Sequence, residues 1–153
     1  MIVACAFDHA GFPLRDRLLP LVASLGHEVL DLGTDRPTPP IDYPDKALAV
    51  GRAIVGGEAE RGIIVCGSGA GVSVAAGKIR GIRAATVHDT YTAHQCVEHD
   101  DVNVICLGGR VIGTEVAAEI VTQFLLATFS GEERHVRRLA KVAEIERTGG
   151  IAD

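Results

Sequence analysis

Long apolar runs and a surplus of positive charge are both missing from this sequence of 153 residues. Its 20 aspartates and glutamates outnumber its 15 lysines and arginines, giving a net charge of −5. No global positive field is therefore available to hold nucleic acid or an anionic membrane. Residues 1–7 are apolar but lack a basic flank and are interrupted at Asp8, which is typical of neither a signal peptide nor a membrane span. We expect a cytoplasmic protein with no nucleic-acid or membrane partner.

Tryptophan is also absent, and there are only one Met, two Tyr and four Phe, so the core must be built from Val, Ile, Leu and Ala. Cys-x-x-Cys spacing is missing too. The four cysteines are Cys5, Cys66, Cys96 and Cys106. Three of them lie in apolar runs, which predicts reduced thiols rather than a disulfide framework. With 47% apolar and 23% charged residues, the chain is expected to fold as a single domain over residues 1–153.

Short apolar runs alternate along the chain with stretches of helical spacing. The predicted strands are Ile2–Phe7, Glu28–Leu32, Gly62–Cys66, Ile82–Val87 and Val102–Leu107. This alternation predicts an α/β fold, a three-layer α/β/α sandwich around a five-stranded parallel, Rossmann-like sheet. Pro20 is expected to kink the first helix or end it early. Mixed charges over residues 131–147 predict an extra C-terminal helix lying partly off the core, and a solvated helix face is an equal alternative there.

One loop carries most of the chemical information, and it follows the third predicted strand. Its sequence is Cys66-Gly67-Ser68-Gly69-Ala70-Gly71. Ligands of open parallel sheets bind beyond the carboxyl ends of the strands, and alternating glycines let backbone N–H groups surround an anion. The start of a helix also favours the thiolate of Cys66, a candidate base or nucleophile. A tight turn that needs glycine for packing, with an inert buried cysteine, is the alternative.

Several known motifs fail at this loop. A Walker A loop would need Gly-Lys-Ser/Thr at its end, and the dinucleotide fingerprint meets Val72 or Val74 where its last glycine should stand. A Cys-x5-Arg phosphatase loop would need arginine at position 72, and the nucleophile elbow fails around Ser68. The interpretation that remains is a cysteine acting as base or nucleophile beside an anion-stabilising loop.

Potential metal ligands occur near His94 and Cys96, but the two would point to different faces of a helix and no second cluster completes a site. We therefore expect no metal. His99 stands just before a predicted strand and is a candidate acid–base group, with a surface histidine as the alternative.

Together these segments resemble the ribose-5-phosphate isomerase B and galactose-6-phosphate isomerase family of sugar-phosphate isomerases. The matching segments span nearly the whole chain. They are Asp8-His9-Ala10-Gly11, Asp42-Tyr43-Pro44, the Cys66 loop with Ala75-Ala76-Gly77-Lys78, Gly81-Ile82-Arg83-Ala84, His99-Asp100-Asp101-Val102-Asn103-Val104, Gly109-Arg110-Val111-Ile112-Gly113 and Arg134-His135-x-x-Arg138. The resemblance implies an aldose–ketose isomerase of a sugar phosphate, with ribose 5-phosphate and ribulose 5-phosphate as the expected pair.

The resemblance also implies roles for individual residues. Cys66 would move a proton between C2 and C1 through a cis-enediolate, while Ser68 and His99 would assist ring opening. The residues implied to bind substrate are Asp8, His9, Tyr43, Gly67, Gly69, Ala70, Gly71, Asp100, Arg110, Arg134 and Arg138. His9 and the three arginines would hold the phosphate, and the backbone of residues 67–71 the oxyanion. No cofactor is implied, because a proton shift needs only a base, a proton relay and an anion hole.

Family resemblance further implies a homodimer or homotetramer with shared active sites, in which the C-terminal helix contacts a neighbouring subunit. Three positions depart from the usual pattern: Ser68 replaces Thr, Gly77 replaces Asn, and Asp100 replaces Asn. Because Asp100 puts an anion where an amide is usual, a four- or six-carbon sugar phosphate stays an alternative substrate. A non-catalytic sugar-phosphate binder is the alternative from another class.

Overall fold

A five-stranded parallel sheet forms the centre of the protein in the structure, a computed structural model that describes residues 1–150. The strands are β1 (Ile2–Phe7), β2 (Glu28–Asp31), β3 (Arg61–Cys66), β4 (Ala84–Thr86) and β5 (Val104–Gly108). Their order across the sheet is β2-β1-β3-β5-β4, and every neighbouring pair is parallel. The predicted parallel sheet is thus confirmed.

Helices cover both faces of the sheet. They are α1 (Arg15–Ser24), α2 (Tyr43–Val55), α3 (Ala70–Ala76), α4 (Thr90–Asp100), α5 (Thr114–Leu126) and α6 (Glu133–Thr148). One buried cluster joins α1, α4 and α5 to alternate strand residues such as Cys5 and Ile63. The intervening residues, among them Ala4 and Ile64, pack with α2 and α3 on the other face. The alternation follows from the two-residue period of a strand and gives the expected α/β/α sandwich.

Several local expectations differ from the structure. β2 ends at Asp31 rather than Leu32, and β5 spans Val104–Gly108 rather than Val102–Leu107. The first helix does not end at Pro20 but continues to Ser24, because Leu18 and Val22 on either side are buried against the sheet. β4 begins at Ala84 rather than Ile82. The Arg83 N–H donates to the Asn103 side chain at 2.9 Å, while the Arg83 carbonyl accepts from the Val104 N–H at 3.3 Å.

The C-terminal helix α6 lies largely off the core, as its charge pattern predicts. His135 is its one buried residue, and the helix packs against α4. Within residues 1–150, no helix combines the length and the apolar character needed to cross a membrane.

Candidate active site

Three loops meet at the carboxyl edge of the sheet, after β1, β3 and β5. Gly11 lies so close to β3 that a Cβ there would stand 2.2 Å from the Val65 carbonyl oxygen, and a Cβ on Gly109 would stand 2.7 Å from the carbonyl oxygen of Ala10. The Gly109 N–H donates to the Cys66 carbonyl at 2.8 Å. Only glycine permits backbone to approach backbone this closely, so these loops form one continuous surface.

Cys66 ends β3 at the middle of this surface. Its side chain is buried, with 5% of the residue exposed, and its Sγ accepts a hydrogen bond from the Gly69 N–H at 3.1 Å. Gly69 has a φ of +79°, and a Cβ there would meet the Cys106 carbonyl oxygen at 2.9 Å. The left-handed glycine therefore aims an N–H at the sulfur, and such a donor interacts best with the anionic form.

The other cysteines have different surroundings. Burial raises the pKa of Cys5 and Cys106 to about 12 and that of Cys96 to about 11. The thiols of Cys5 and Cys96 donate to backbone carbonyl groups of Val3 and Ala93, whereas the Cys66 sulfur accepts from an N–H. Three cysteines are thus core thiols with a raised pKa, whereas the Cys66 sulfur accepts a hydrogen bond from an N–H of the glycine-rich loop.

Tyr43 and Ser68 border the Cys66 loop. Tyr43 is the first residue of α2, and its ring lies so close to Gly71 that a Cβ there would be 3.0 Å from it. Ser68 is exposed, and its Oγ accepts from the Ala70 N–H at 3.3 Å. The loop therefore has a phenol on one side and a hydroxyl at its tip.

Charged side chains surround the loop. Asp8 is 5% exposed, and its Oδ1 accepts from the N–H groups of Ala10 and Gly11, both at 2.8 Å, which fixes the carboxylate at the end of β1. His9 follows, with its Nδ1 buried and without a partner in the described structure. The exposed Arg110 lies beside the loop, its Nη1 3.7 Å from where a Cβ of Gly67 would be. A cation and an imidazole are thus available at the mouth of the site.

A second group of the expected residues lies at the opposite edge of the sheet. His99 and Asp100 end α4, which runs back to the start of β5, where Val104 pairs with Gly62. α6 packs against this end of α4. A groove of about 860 Å³ lies between α6 and the segment around Gly81–Ala84, and Asp100 and Arg138 are among its lining residues.

The register of β3 and β5 measures how far apart the two groups are. Val104 pairs with Gly62 at one edge and Gly108 with Cys66 at the other. Four residues of strand at about 3.3 Å each separate the edges by roughly 13 Å. At the carboxyl edge stand Asp8, His9, Tyr43, Cys66, Gly67, Ser68, Gly69, Ala70, Gly71 and Arg110; at the amino edge stand His99, Asp100, Arg134 and Arg138. One chain does not bring Cys66 and His99 together.

His99 is held by its neighbours on two sides. The Gln95 Nε2 lies 2.8 Å from His99 Nδ1, and the Glu98 carboxylate lies 3.6 Å from Nε2. The His135 ring stands over the His99 ring, with 4.2 Å between centroids. Arg134 pairs with Glu132 at 2.8 Å on the surface of α6.

Sequence reasoning missed two histidines near these groups. His88 Nε2 accepts from the Gly108 N–H at 2.9 Å and so supports the loop next to Cys66. Its position after a strand was the available signal. His135 lies in the segment Arg134-His135-x-x-Arg138, which carried part of the family resemblance, but no role was predicted for it. No three His, Cys, Asp or Glu side chains of residues 1–150 are close enough to hold a metal ion.

Comparison with known proteins gives matches along nearly the whole chain. Residues 3–142 match the family model described as Ribose/Galactose Isomerase. The chain is 39% identical over 145 residues to ribose-5-phosphate isomerase B of Escherichia coli, covering 95% of this chain and 96% of that protein. It is 39% identical over 129 residues to D-erythrulose-4-phosphate isomerase of Pectobacterium atrosepticum, covering 84% and 85%. The solved structure of Clostridium thermocellum ribose-5-phosphate isomerase B superposes with a TM-score of 0.93 at 41% identity, covering 97% and 99% of the two chains.

Proposed function

The chain belongs to the ribose/galactose isomerase family, and from this premise we propose that it is an aldose–ketose isomerase interconverting ribose 5-phosphate and ribulose 5-phosphate. One observation carries the proposal: in a chain related to these enzymes over nearly its whole length, the buried Cys66 sulfur faces the Gly69 N–H at 3.1 Å. That arrangement supplies a thiolate base beside a backbone turn suited to an oxyanion.

The proposed reaction is a proton shift between adjacent carbons. Cys66 as thiolate takes the C2 proton of the open-chain aldose, and the electron pair moves towards the C1 carbonyl oxygen, giving a cis-enediolate. The thiol then returns the proton to C1, and the hydroxyl proton on the C2 oxygen passes to the C1 oxygen, so that the C2 oxygen becomes the carbonyl of the ketose. Atoms and charge balance without any further reactant. The backbone of residues 67–71 stabilises the oxyanion, and the fixed carboxylate of Asp8 and the phenol of Tyr43 face the sugar hydroxyls.

The remaining roles belong to the residues around the loop and at the amino edge. Ser68 and His99 pass a proton to and from the ring oxygen when the cyclic sugar opens. His9, Arg110, Arg134 and Arg138 hold the phosphate. Arg134 and Arg138 are four residues apart on α6, which lets two guanidinium groups converge on one phosphate.

A shared site follows from the separation of the two groups. Because Cys66 and His99 lie at opposite edges of one sheet, they can act on one substrate only if a second copy brings its amino edge to the Cys66 loop. A two-fold axis then makes two complete sites at once. We therefore propose a homodimer, alone or as half of a homotetramer, with α6 contacting the neighbouring subunit. Four free cysteines and a sugar-phosphate substrate fit the cytoplasm, where we place the enzyme.

A second substrate class has its own support. One relative acts, by its name, on D-erythrulose 4-phosphate. Asp100, which lines the groove beside Arg138, adds a negative charge where the substrate is expected. A four-carbon sugar phosphate is therefore the second candidate substrate, and a six-carbon sugar phosphate is the third.

NMR of four-, five- and six-carbon aldose phosphates incubated with the protein in D2O tests the proposal. We expect deuterium at C2 of ribose 5-phosphate together with ribulose 5-phosphate, and neither with a Cys66→Ala variant that keeps the wild-type circular dichroism. Faster exchange of a four-carbon member would move the assignment to that sugar. Binding of sugar phosphates without exchange of any would show that the loop serves recognition only, and full activity of Cys66→Ala would remove Cys66 as the base.

A further inference from the structure

Helix α6 buries a histidine where an aliphatic side chain would be expected. His135 is 1% exposed, while the other residues of this helix are exposed or half-exposed. Taking an imidazole out of water costs free energy unless its polar atoms find partners, and His135 Nε2 has none in the described structure. Leucine could anchor the helix at lower cost. The contacts of the imidazole are therefore expected to explain why a histidine is buried at this position.

His135 touches His99. The two rings lie with centroids 4.2 Å apart and planes tilted by 31°. Ser130 ties the arrangement together, since its Oγ lies 2.6 Å from His135 Nδ1 and its N–H donates to the Glu98 carbonyl at 3.0 Å. The segment before α6 is thus fixed to the last turn of α4, the turn that carries His99.

Each of the two rings has a hydrogen-bond partner at its Nδ1. The Ser130 Oγ already accepts from the Glu132 N–H at 3.3 Å, so its hydroxyl hydrogen is available to His135 Nδ1. The Gln95 amide nitrogen is a donor and faces His99 Nδ1. Burial lowers the pKa of His135, and the charges of His99 and Arg134 act in the same direction.

We propose that His135 is a positioning residue for His99, holding the imidazole at the angle needed for ring opening. This inference rests on the proposed function. Gln95 and Glu98 contact the two nitrogens at the edge of the His99 ring. The buried His135 ring packs against its face and so restricts its tilt. The charged groups around the pair are Glu98 beside His99, and Glu132, Arg134 and Arg138 around His135.

Two measurements separate this role from general support of α6. Ribose 5-phosphate is cyclic in solution and must be opened, whereas ribulose 5-phosphate is an open chain because its C5 oxygen carries the phosphate. Net isomerisation of ribose 5-phosphate therefore needs His99, and deuterium exchange at C1 of ribulose 5-phosphate in D2O needs only the Cys66 half of the chemistry. In His135→Ala we expect the first rate to fall by about 10- to 100-fold, as for a misplaced acid–base group, and the second to stay within about twofold.

A conservative variant and a surface variant complete the experiment. His135→Phe keeps a flat buried ring and should recover most of the rate with ribose 5-phosphate, while Lys141→Ala, on the exposed face of α6, should match the wild type in both measurements. Equal losses of both rates in His135→Ala, or no loss of either, would overturn the inference. A wild-type protein inactive in both would overturn the proposed function, and this inference with it, before any substitution is made.

Discussion

Arg137 and Arg138 are neighbours in sequence but differ in what they face. Arg138 lines the groove that Asp100 also borders, whereas Arg137 is exposed outside it. If Arg138 binds the substrate phosphate, Arg138→Ala should lower kcat/KM by about tenfold or more, the equivalent of one charged hydrogen bond of about 1.5–3 kcal/mol. Steady-state kinetics with ribose 5-phosphate measures this effect.

Arg137→Ala is the matched control for that experiment, because it removes the same charge from the same helix turn. It should leave kcat/KM within about twofold, since charges exposed to salt water interact weakly beyond about 10 Å. Equal losses in the two variants would mean that the helix attracts the substrate through its overall charge and that Arg138 makes no specific contact.

Sequence reasoning reached some residues of the site and not others. The local sequence was enough to predict the Cys66 loop, because a strand, a run of glycines and a helix follow one another there and define the turn. His135 was beyond reach, since its meaning depends on His99, which lies 36 positions earlier on another helix. Only the packing of α6 on α4 brings the two rings into contact.

At the scale of the element, the docking of α6 should depend on pH. The pKa of His135 in the folded protein is lowered from the ordinary 6.5, first by burial and then by the charges of His99 and Arg134. As the pH falls below 6.5, His135 becomes protonated in the unfolded chain but stays neutral in the folded protein. The free energy of unfolding therefore decreases. Above 6.5 the ring is neutral in both states, and the contribution is fully present.

Urea unfolding of the wild type and of His135→Phe between about pH 5 and pH 8 measures this dependence. The difference in stability between the two proteins should shift in favour of His135→Phe as the pH falls, because phenylalanine takes up no proton. Other histidines, such as His27, contribute equally to both proteins and cancel. Parallel curves over the whole range would contradict the prediction.

Elements with a strong local pattern were predicted well, and those defined by tertiary contacts were not. β1 has the predicted bounds, and β3 differs by one residue at its start. β4 is half as long as its apolar run, and the Asn103 side chain accepts from the Arg83 N–H just before the strand begins. Apolar character alone does not tell a strand residue from a buried turn residue.

For the whole molecule, the placement of Cys66 and His99 at opposite edges predicts complementation between defective subunits. Cys66→Ala and His99→Asn should each be inactive with ribose 5-phosphate. After equal amounts are unfolded and refolded together, half of the dimers are mixed and each mixed dimer holds one intact site. The mixture should therefore regain up to about a quarter of wild-type activity.

A mixture of Cys66→Ala with Ser68→Ala is the matched control, because both changes fall on the same edge of the sheet and leave no intact site in any dimer. It should show no more activity than the mean of its two parents. Recovery in neither mixture, with dimers present by light scattering, would contradict the shared site.

The two outer strands of the sheet are also its shortest. β2 has four residues and β4 three, and Arg15 pairs with Asp31 at the end of β2. An open sheet exposes unpaired backbone groups along its margins, where another chain can add a strand and begin an aggregate. Because the edge strands β2 and β4 are short, an added strand could form only a few hydrogen bonds with either of them. The ion pair at the end of β2 protects that edge further. Growth of an aggregate by strand addition at either edge of the sheet is therefore disfavoured.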